Sequence, residues 1–184
     1  LAFMRKEVQT KPRDPVTSKY VAALFEAVRP DMVVTIEAHN KAAFQNAFRC
    51  STLHLDMYSQ FAAKIADLSQ SEKLVFLSPD SGGAKRVDLL RQTYATERRT
   101  TPLLALIEKH RSDDVVTGDL FAGDVNGADV IIFDDIISTG GTMLRAANEA
   151  ASRGAKQVFA MATHGLLTPA SSDVLSASSI SRVV

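Results

Sequence analysis

Val130-Ile131-Ile132-Phe133-Asp134-Asp135-Ile136-Ile137-Ser138-Thr139-Gly140-Gly141-Thr142 is the stretch whose reading decides the fold. An uncharged apolar run ends in two adjacent carboxylates. A turn of hydroxyls and glycines follows, and a helical pattern runs from Met143 to Arg153, with Gly154 as its C-cap. This is the layout of an anion site at the carboxyl end of a parallel strand. Gly140 and Gly141 allow close backbone approach and positive φ. Ser138, Thr139 and Thr142 add hydroxyls, and the opening turn of a helix adds free N–H groups. Asp134 and Asp135 would repel a phosphate and need another partner. Ribose hydroxyls suit them, with Mg²⁺ a second candidate. Phosphate donors beside a carboxylate pair fit a sugar phosphate better than a bare anion. No GxxxxGK[ST] pattern occurs, so the chain is not a P-loop NTPase.

Strand-like and helical patterns alternate along the rest of the chain, which predicts parallel sheets flanked by helices, an α/β fold. Strands are expected at Met32 to Ile36 (buried), Leu74 to Leu77, Leu103 to Ile107 and Gln157 to Ala162. Val115 to Leu120 reads as a hairpin arm. Leu1 to Arg13 has no periodicity and reads as a basic loop. Asp14-Pro15 reads as a helix start, with an N-cap acceptor and proline at the first helical position. Tyr20, Val21, Leu24, Phe25 and Val28 then form one apolar face. Tyr58, Phe61, Ala62, Ile65 and Leu68 form another. Ser51 to Asp56 reads as a connection, with domains expected at 1–54 and 55–184.

The chain has 184 residues, 46% of them hydrophobic, enough for one sizeable core or two small ones. Twenty-one basic residues balance 21 acidic ones, so no bulk attraction to nucleic acid or to a membrane is expected. Cys50 is the only cysteine, which excludes a CxxC metal site and an intrachain disulfide and makes a reducing, cytoplasmic setting the default. Leu1 stands where a methionine would start a chain, and a strand has only begun by Val184. The expectation is a piece of a longer protein.

Other polar clusters fall at strand ends. Asp80-Ser81-Gly82-Gly83 repeats the strand–loop–helix form with its carboxylate first, although a capping aspartate in a tight turn explains it equally well. Lys109 and Arg111 could stabilise a phosphoryl transition state, but a solvated basic turn is the commoner reading of any such pair. His39, with Glu37, could ligate a metal or contact phosphates, whereas a single histidine is more often structural. His164 is read as structural, His54 and His110 carry no specific signal, and Asp113-Asp114 reads as a solvated loop.

Taken in order, these segments resemble the ribose-phosphate diphosphokinase family, the synthases of phosphoribosyl pyrophosphate. The resemblance rests on Arg5 with Asp14-Pro15, on Glu37-Ala38-His39, on Ser78 to Arg86, on Lys109-His110-Arg111 and on Asp134 to Thr142. The last segment alone is shared with type I phosphoribosyltransferases. The resemblance implies two tandem phosphoribosyltransferase-type domains, the first incomplete here, with an active site between them. It implies Mg²⁺-dependent transfer of diphosphate from ATP to the C1 hydroxyl of ribose 5-phosphate. Asp134 and Asp135 would hold ribose hydroxyls, and Ser138, Thr139, Gly140, Gly141 and Thr142 the 5-phosphate. Lys109 and Arg111 would be the catalytic cations. Arg5, Lys6 and His39 would contact ATP, and His39 and Asp80 the metal. A homo-oligomer is implied as well. Glu37 departs from the aspartate usual in the family, Ser138 from the aspartate of many relatives, and Val8 and Gln9 occupy positions that are often charged. The rivals are a phosphoribosyltransferase that consumes phosphoribosyl pyrophosphate and a non-catalytic regulatory relative. The first would not need Arg5, His39 or the Asp80 loop, and the second would be expected to lose the cations.

Overall fold

The computed structural model describes residues 2–112, 115–176 and 179–184, and the side chains of all of these except 2–3, 109–112 and 115–119. Asp113-Asp114 therefore lies outside the described residues. The chain divides into two compact units, Leu1–Met57 and Tyr58–Val184.

In the first unit a 3-10 turn (Ala2–Arg5) precedes α1 (Thr17–Glu26), β1 (Met32–Ile36), α2 (Lys41–Ala47) and β2 (Ser51–Leu55). β1 and β2 pair in parallel, with Met32 opposite Ser51 and Ile36 opposite Leu55. Ser51 to Leu55 is thus a strand, not the expected connection. Its Thr-Leu-His-Leu alternation is too polar for a fully buried strand and suits one with a covered and an open face. The covered face contributes Val33 to a small core with Ala22, Phe44 and Phe48. The opposite face carries Met32, Val34, Ile36, Leu53 and Leu55, each 43–53% exposed. β1 is therefore not the buried strand its composition predicts. Asp14 does not cap α1 either. That helix begins two residues after Pro15, and Val16 at its N-cap makes no side-chain capping bond. Asp14 instead accepts from the Thr10 hydroxyl (2.8 Å) and the Lys6 ammonium (3.0 Å), closing the basic loop on itself. Of the expected apolar face on α1, Val21 is buried, while Tyr20, Leu24, Phe25 and Val28 are exposed.

The second unit runs α3 (Tyr58–Leu68), β3 (Leu74–Ser78), α4 (Ala84–Arg98), β4 (Leu103–Ser112), β5 (Val115–Ala122), β6 (Asp129–Ile137), α5 (Gly141–Ser152), β7 (Gln157–Gly165), α6 (Ser171–Ser176) and β8 (Arg182–Val183). Its sheet order is β5-β4-β3-β6-β7-β8, parallel except for β5, which returns antiparallel along β4. Alternating side chains of the central strands feed two cores. Val75, Leu77, Val130, Ile132, Val158 and Ala160 pack with Met143, Ala146, Ala147 and Ala150 of α5. Phe76, Ile131, Phe133, Phe159 and Met161 pack with α3 and α4 through Ala62, Ile65, Val87 and Leu90. Burial on both faces explains why β3 and the first half of β6 read as unbroken apolar runs. The α/β class with mainly parallel sheets and flanking helices is as expected.

β3 stands between β4 and β6. The connections from the neighbouring strands β3 and β6 leave toward opposite sides, to β4 and to β7, so the sheet has its topological switch point between them. A crevice outside the carboxyl ends of β3 and β6 follows from that arrangement.

Candidate active site

Both loops with the Asp-plus-glycine form leave the sheet at this switch point. After β3, Asp80 turns inward on its own loop. Its Oδ1 accepts from the Gly83 N–H (2.9 Å), and the Ser78 hydroxyl donates to its backbone carbonyl (2.7 Å). Packing is close at Gly83, where a Cβ would lie 3.1 Å from Ser78 Oγ. The turn delivers the chain into α4 with Arg86 in the first helical turn.

β6 continues through Ile137, so Asp134 and Asp135 are strand residues and the turn proper is Ser138 to Gly140. Their side chains are almost withdrawn from water, at 16% and 4% exposed. Arg86 serves both of them. Its Nη1 lies 2.8 Å from Asp134 Oδ1 and 3.4 Å from Asp135 Oδ1. The Asp135 N–H also donates to Asp134 Oδ1 (2.8 Å). Burial pushes the Asp134 carboxyl up to about 7; the adjoining Asp135 adds to the rise, and Arg86 offsets only part of it.

Gly140 has φ +82° and stands at the N-cap of α5, where no side chain caps the helix. A Cβ there would meet Leu175 and Val174 of α6 at 3.1–3.3 Å. The connection from β7 to α6 pins the turn further, through Leu166 N–H to Ile137 O (2.9 Å) and Thr168 N–H to Ser138 O (3.4 Å). The first turn of α5 thus begins without a side-chain cap, at the end of a helix where N–H groups have no partner within the helix. Arg145 of α5 donates from Nη2 to Pro79 O (3.2 Å), tying this helix to the loop after β3.

Lys109 and Arg111 fall inside β4 rather than after it, because the strand extends to Ser112 with β5 as its partner. Lys109 stands opposite Asp119, and the register shifts between His110 and Arg111. Their side chains are outside the described ones. In the first unit, Arg5, Lys6 and His39 line one basin of about 620 Å³ with Glu7, Val8, Thr10 and Thr17. Glu37, buried with φ +48°, accepts from the Met57 N–H. The Ala38 N–H donates to His54 Nε2 (3.1 Å). Burial, then the Lys41 charge, lowers the His54 pKa, which favours the neutral ring this acceptor role requires. Among the described residues no group of three or more His, Cys, Asp or Glu is placed to hold a metal ion.

A family model described as the phosphoribosyl synthetase-associated domain matches residues 92–184. The chain belongs to the phosphoribosyl synthetase family. A ribose-phosphate pyrophosphokinase from Caldanaerobacter subterraneus subsp. tengcongensis is 34% identical over 183 residues, covering 99% of this chain and 56% of that protein. Ribose-phosphate pyrophosphokinase 2 of Saccharomyces cerevisiae is 31% identical over 183 residues, covering 99% and 55%. The crystal structure of phosphoribosylpyrophosphate synthetase from Mycobacterium smegmatis superposes with a TM-score of 0.86 at 29% identity, over 98% of this chain and 57% of that one. The chain therefore spans about half the length of the phosphoribosyl synthetase relatives it matches.

Arg86, Arg145 and His54 have roles in the fold that the sequence does not signal. Arg86 lies in the Ser78 to Arg86 segment, yet nothing in its spacing shows that it reaches the carboxylates of β6. His54 becomes visible as a backbone acceptor only once Ser51 to Leu55 is known to be a strand, with Thr35 opposite His54.

Proposed function

We propose that the chain acts as a ribose-phosphate diphosphokinase, moving the diphosphoryl group of ATP to the C1 hydroxyl of ribose 5-phosphate to give phosphoribosyl pyrophosphate and AMP. The observation that supports this reading over a phosphoribosyltransferase is the 34% identity to a ribose-phosphate pyrophosphokinase along 99% of this chain. The buried Asp134–Asp135 pair one turn before α5 supplies its sugar site. Acceptors for hydroxyls and donors for a phosphate then lie one turn apart. The first turn of α5, with Ser138, Thr139, Gly140, Gly141 and Thr142, holds the 5-phosphate. Asp134 and Asp135 accept from ribose hydroxyls and orient the sugar. Arg5, Lys6 and His39 hold the triphosphate of ATP in their shared basin.

In the reaction the C1 oxygen bonds to the β-phosphorus and loses its proton. The bond from that phosphorus to the α,β-bridging oxygen breaks, and AMP leaves. Lys109 and Arg111 offset the charge that develops on the transferred group. The donor set suits Mg²⁺ carried by the substrate phosphates. That cation takes oxygen ligands, often one or two carboxylates plus phosphates, and Asp80 has a second carboxylate oxygen besides the one held by Gly83. His39, a nitrogen donor, fits the phosphates better than the cation. When bound, the ion neutralises charge on the transferring phosphates. Among the described residues no helix is long and apolar enough to cross a membrane. A cytoplasmic homo-oligomer without nucleic-acid partners completes the reading.

The test is AMP formation from ATP and ribose 5-phosphate by the whole polypeptide. AMP should appear in step with phosphoribosyl pyrophosphate, and Lys109→Ala should lower kcat by about 10²–10³. A protein that makes no AMP but releases pyrophosphate from phosphoribosyl pyrophosphate and a base is a phosphoribosyltransferase instead.

A further inference from the structure

Two carboxylates next to each other at a strand end, both nearly buried, repel one another and have lost most of their water. Such a pair persists only if a cation or a proton is supplied. The sequence offers no cation nearby: Ile136 and Ile137 follow, and Phe133 and Ile132 precede. The fold supplies Arg86 from a different strand–helix unit, across 48 residues of chain. Its side chain is itself only 12% exposed, and its Nη1 lies within ion-pair distance of both carboxylates. A surface ion pair would contribute little, but this one is desolvated and shared.

We infer that Arg86 is the positioning residue of the sugar site: shared between Asp134 and Asp135, it holds both carboxylates in the geometry that accepts ribose hydroxyls. The inference rests on the ribose 5-phosphate reading above and deepens it. Arg86 acts through the aspartates. The phosphate end of the ligand is held separately, by the backbone of the turn and of α5. The return tie from Arg145 to Pro79 O links the same two loops from the other side, so the frame around the pair is fixed at two points. Loss of Arg86 should therefore damage recognition of the sugar hydroxyls and spare recognition of the phosphate.

The experiment is a calorimetric titration of the whole polypeptide, wild type and Arg86→Gln, with ribose 5-phosphate and with 2-deoxyribose 5-phosphate. The wild type should prefer ribose 5-phosphate by about tenfold or more, the size of one well-made hydrogen bond to a charged acceptor. Arg86→Gln should bring that ratio close to one, weakening ribose 5-phosphate more than 2-deoxyribose 5-phosphate, which keeps only the C3 one of the two neighbouring hydroxyls. Arg86→Lys should recover part of the preference. An Arg86→Gln variant that keeps the full preference, or loses affinity for both ligands equally while folded, overturns the inference. A wild type that binds neither sugar phosphate overturns the ribose 5-phosphate reading itself, and the inference with it. Should Arg86→Gln fail to fold, its combination with Asp134→Asn decides the matter by thermal melting. Removing one of the two charges should restore the fold, and a double variant as unstable as the single one counts against the inference.

Discussion

The loops after β3 and β6 share a form: an apolar strand, an aspartate, small residues and a helix. They use it in opposite ways. After β3 the aspartate turns back on its own loop, where Asp80 accepts from the N–H of Gly83, the residue before α4. After β6 the aspartates pair across the fold with Arg86, and the helix that follows, like α4, has no side-chain cap. The first loop is largely closed by its own bonds, and the carboxylates of the second are tied to another strand–helix unit. A matching pattern of residue types therefore does not imply a matching role. What separates the loops is where each carboxylate finds its partner.

Glycine substitutions should break the comparison most sharply. Gly140→Ala places a Cβ at positive φ and against Leu175 and Val174, so a loss of about 2–5 kcal/mol is expected from strain and overpacking together. Chemical denaturation should show it, along with weaker phosphate binding. Gly82→Ala in the other loop has no positive φ to satisfy and meets only Asp80 Oδ1, at 3.3 Å. Its cost should stay below about 1 kcal/mol, as is usual away from a special backbone position. Equal losses in the two loops would remove the distinction.

The charge on the second loop comes next in size. Asp134 is pushed up to about 7 in the folded protein from an ordinary value of 3.8. Between those values the folded state binds a proton that the unfolded state does not. The stability this group contributes is thus complete at low pH and lost as pH rises toward 7. Asp134→Asn removes that dependence. It should change stability little near pH 4 and raise it by up to roughly 4 kcal/mol at pH 8. Melting curves across that range would show the two proteins diverging upward in pH; a constant offset would mean that Asp134 is ionised in the fold throughout. Asp80→Ala should cost less, about 0.5–1.5 kcal/mol for one lost hydrogen bond within its loop, with affinity for ribose 5-phosphate unchanged.

How much of this was legible in the chain follows from the same contrast. The β6–α5 segment was readable because each feature is local: an apolar run for a strand buried on both faces, glycines for a turn at positive φ, a periodic helix after it. The partner of the carboxylates was not local, and no spacing rule reaches from Asp134 to Arg86. In the first unit the pattern misled for another reason. Asp14-Pro15 has the chemistry of a helix cap, but Lys6 and Thr10 compete for the same carboxylate and win it. Met32 to Ile36 has the composition of a core strand, yet only alternate residues face the helices. The strand end of Lys109 and Arg111 was misplaced because β5 prolongs β4 by pairing, which the apolar run ending at Ile107 does not signal.

The central claim is that a sugar phosphate lies across the end of β6 and the start of α5. Backbone amide and arginine side-chain NMR resonances, followed during titration of the whole polypeptide with ribose 5-phosphate, test it most directly. The account predicts the largest shifts at Ser138 to Thr142, at Asp134 and Asp135, and at the Arg86 guanidinium, with smaller ones at Ser81 to Gly83. Saturable shifts confined to other residues, with Gly140, Gly141 and Arg86 unmoved, would contradict it.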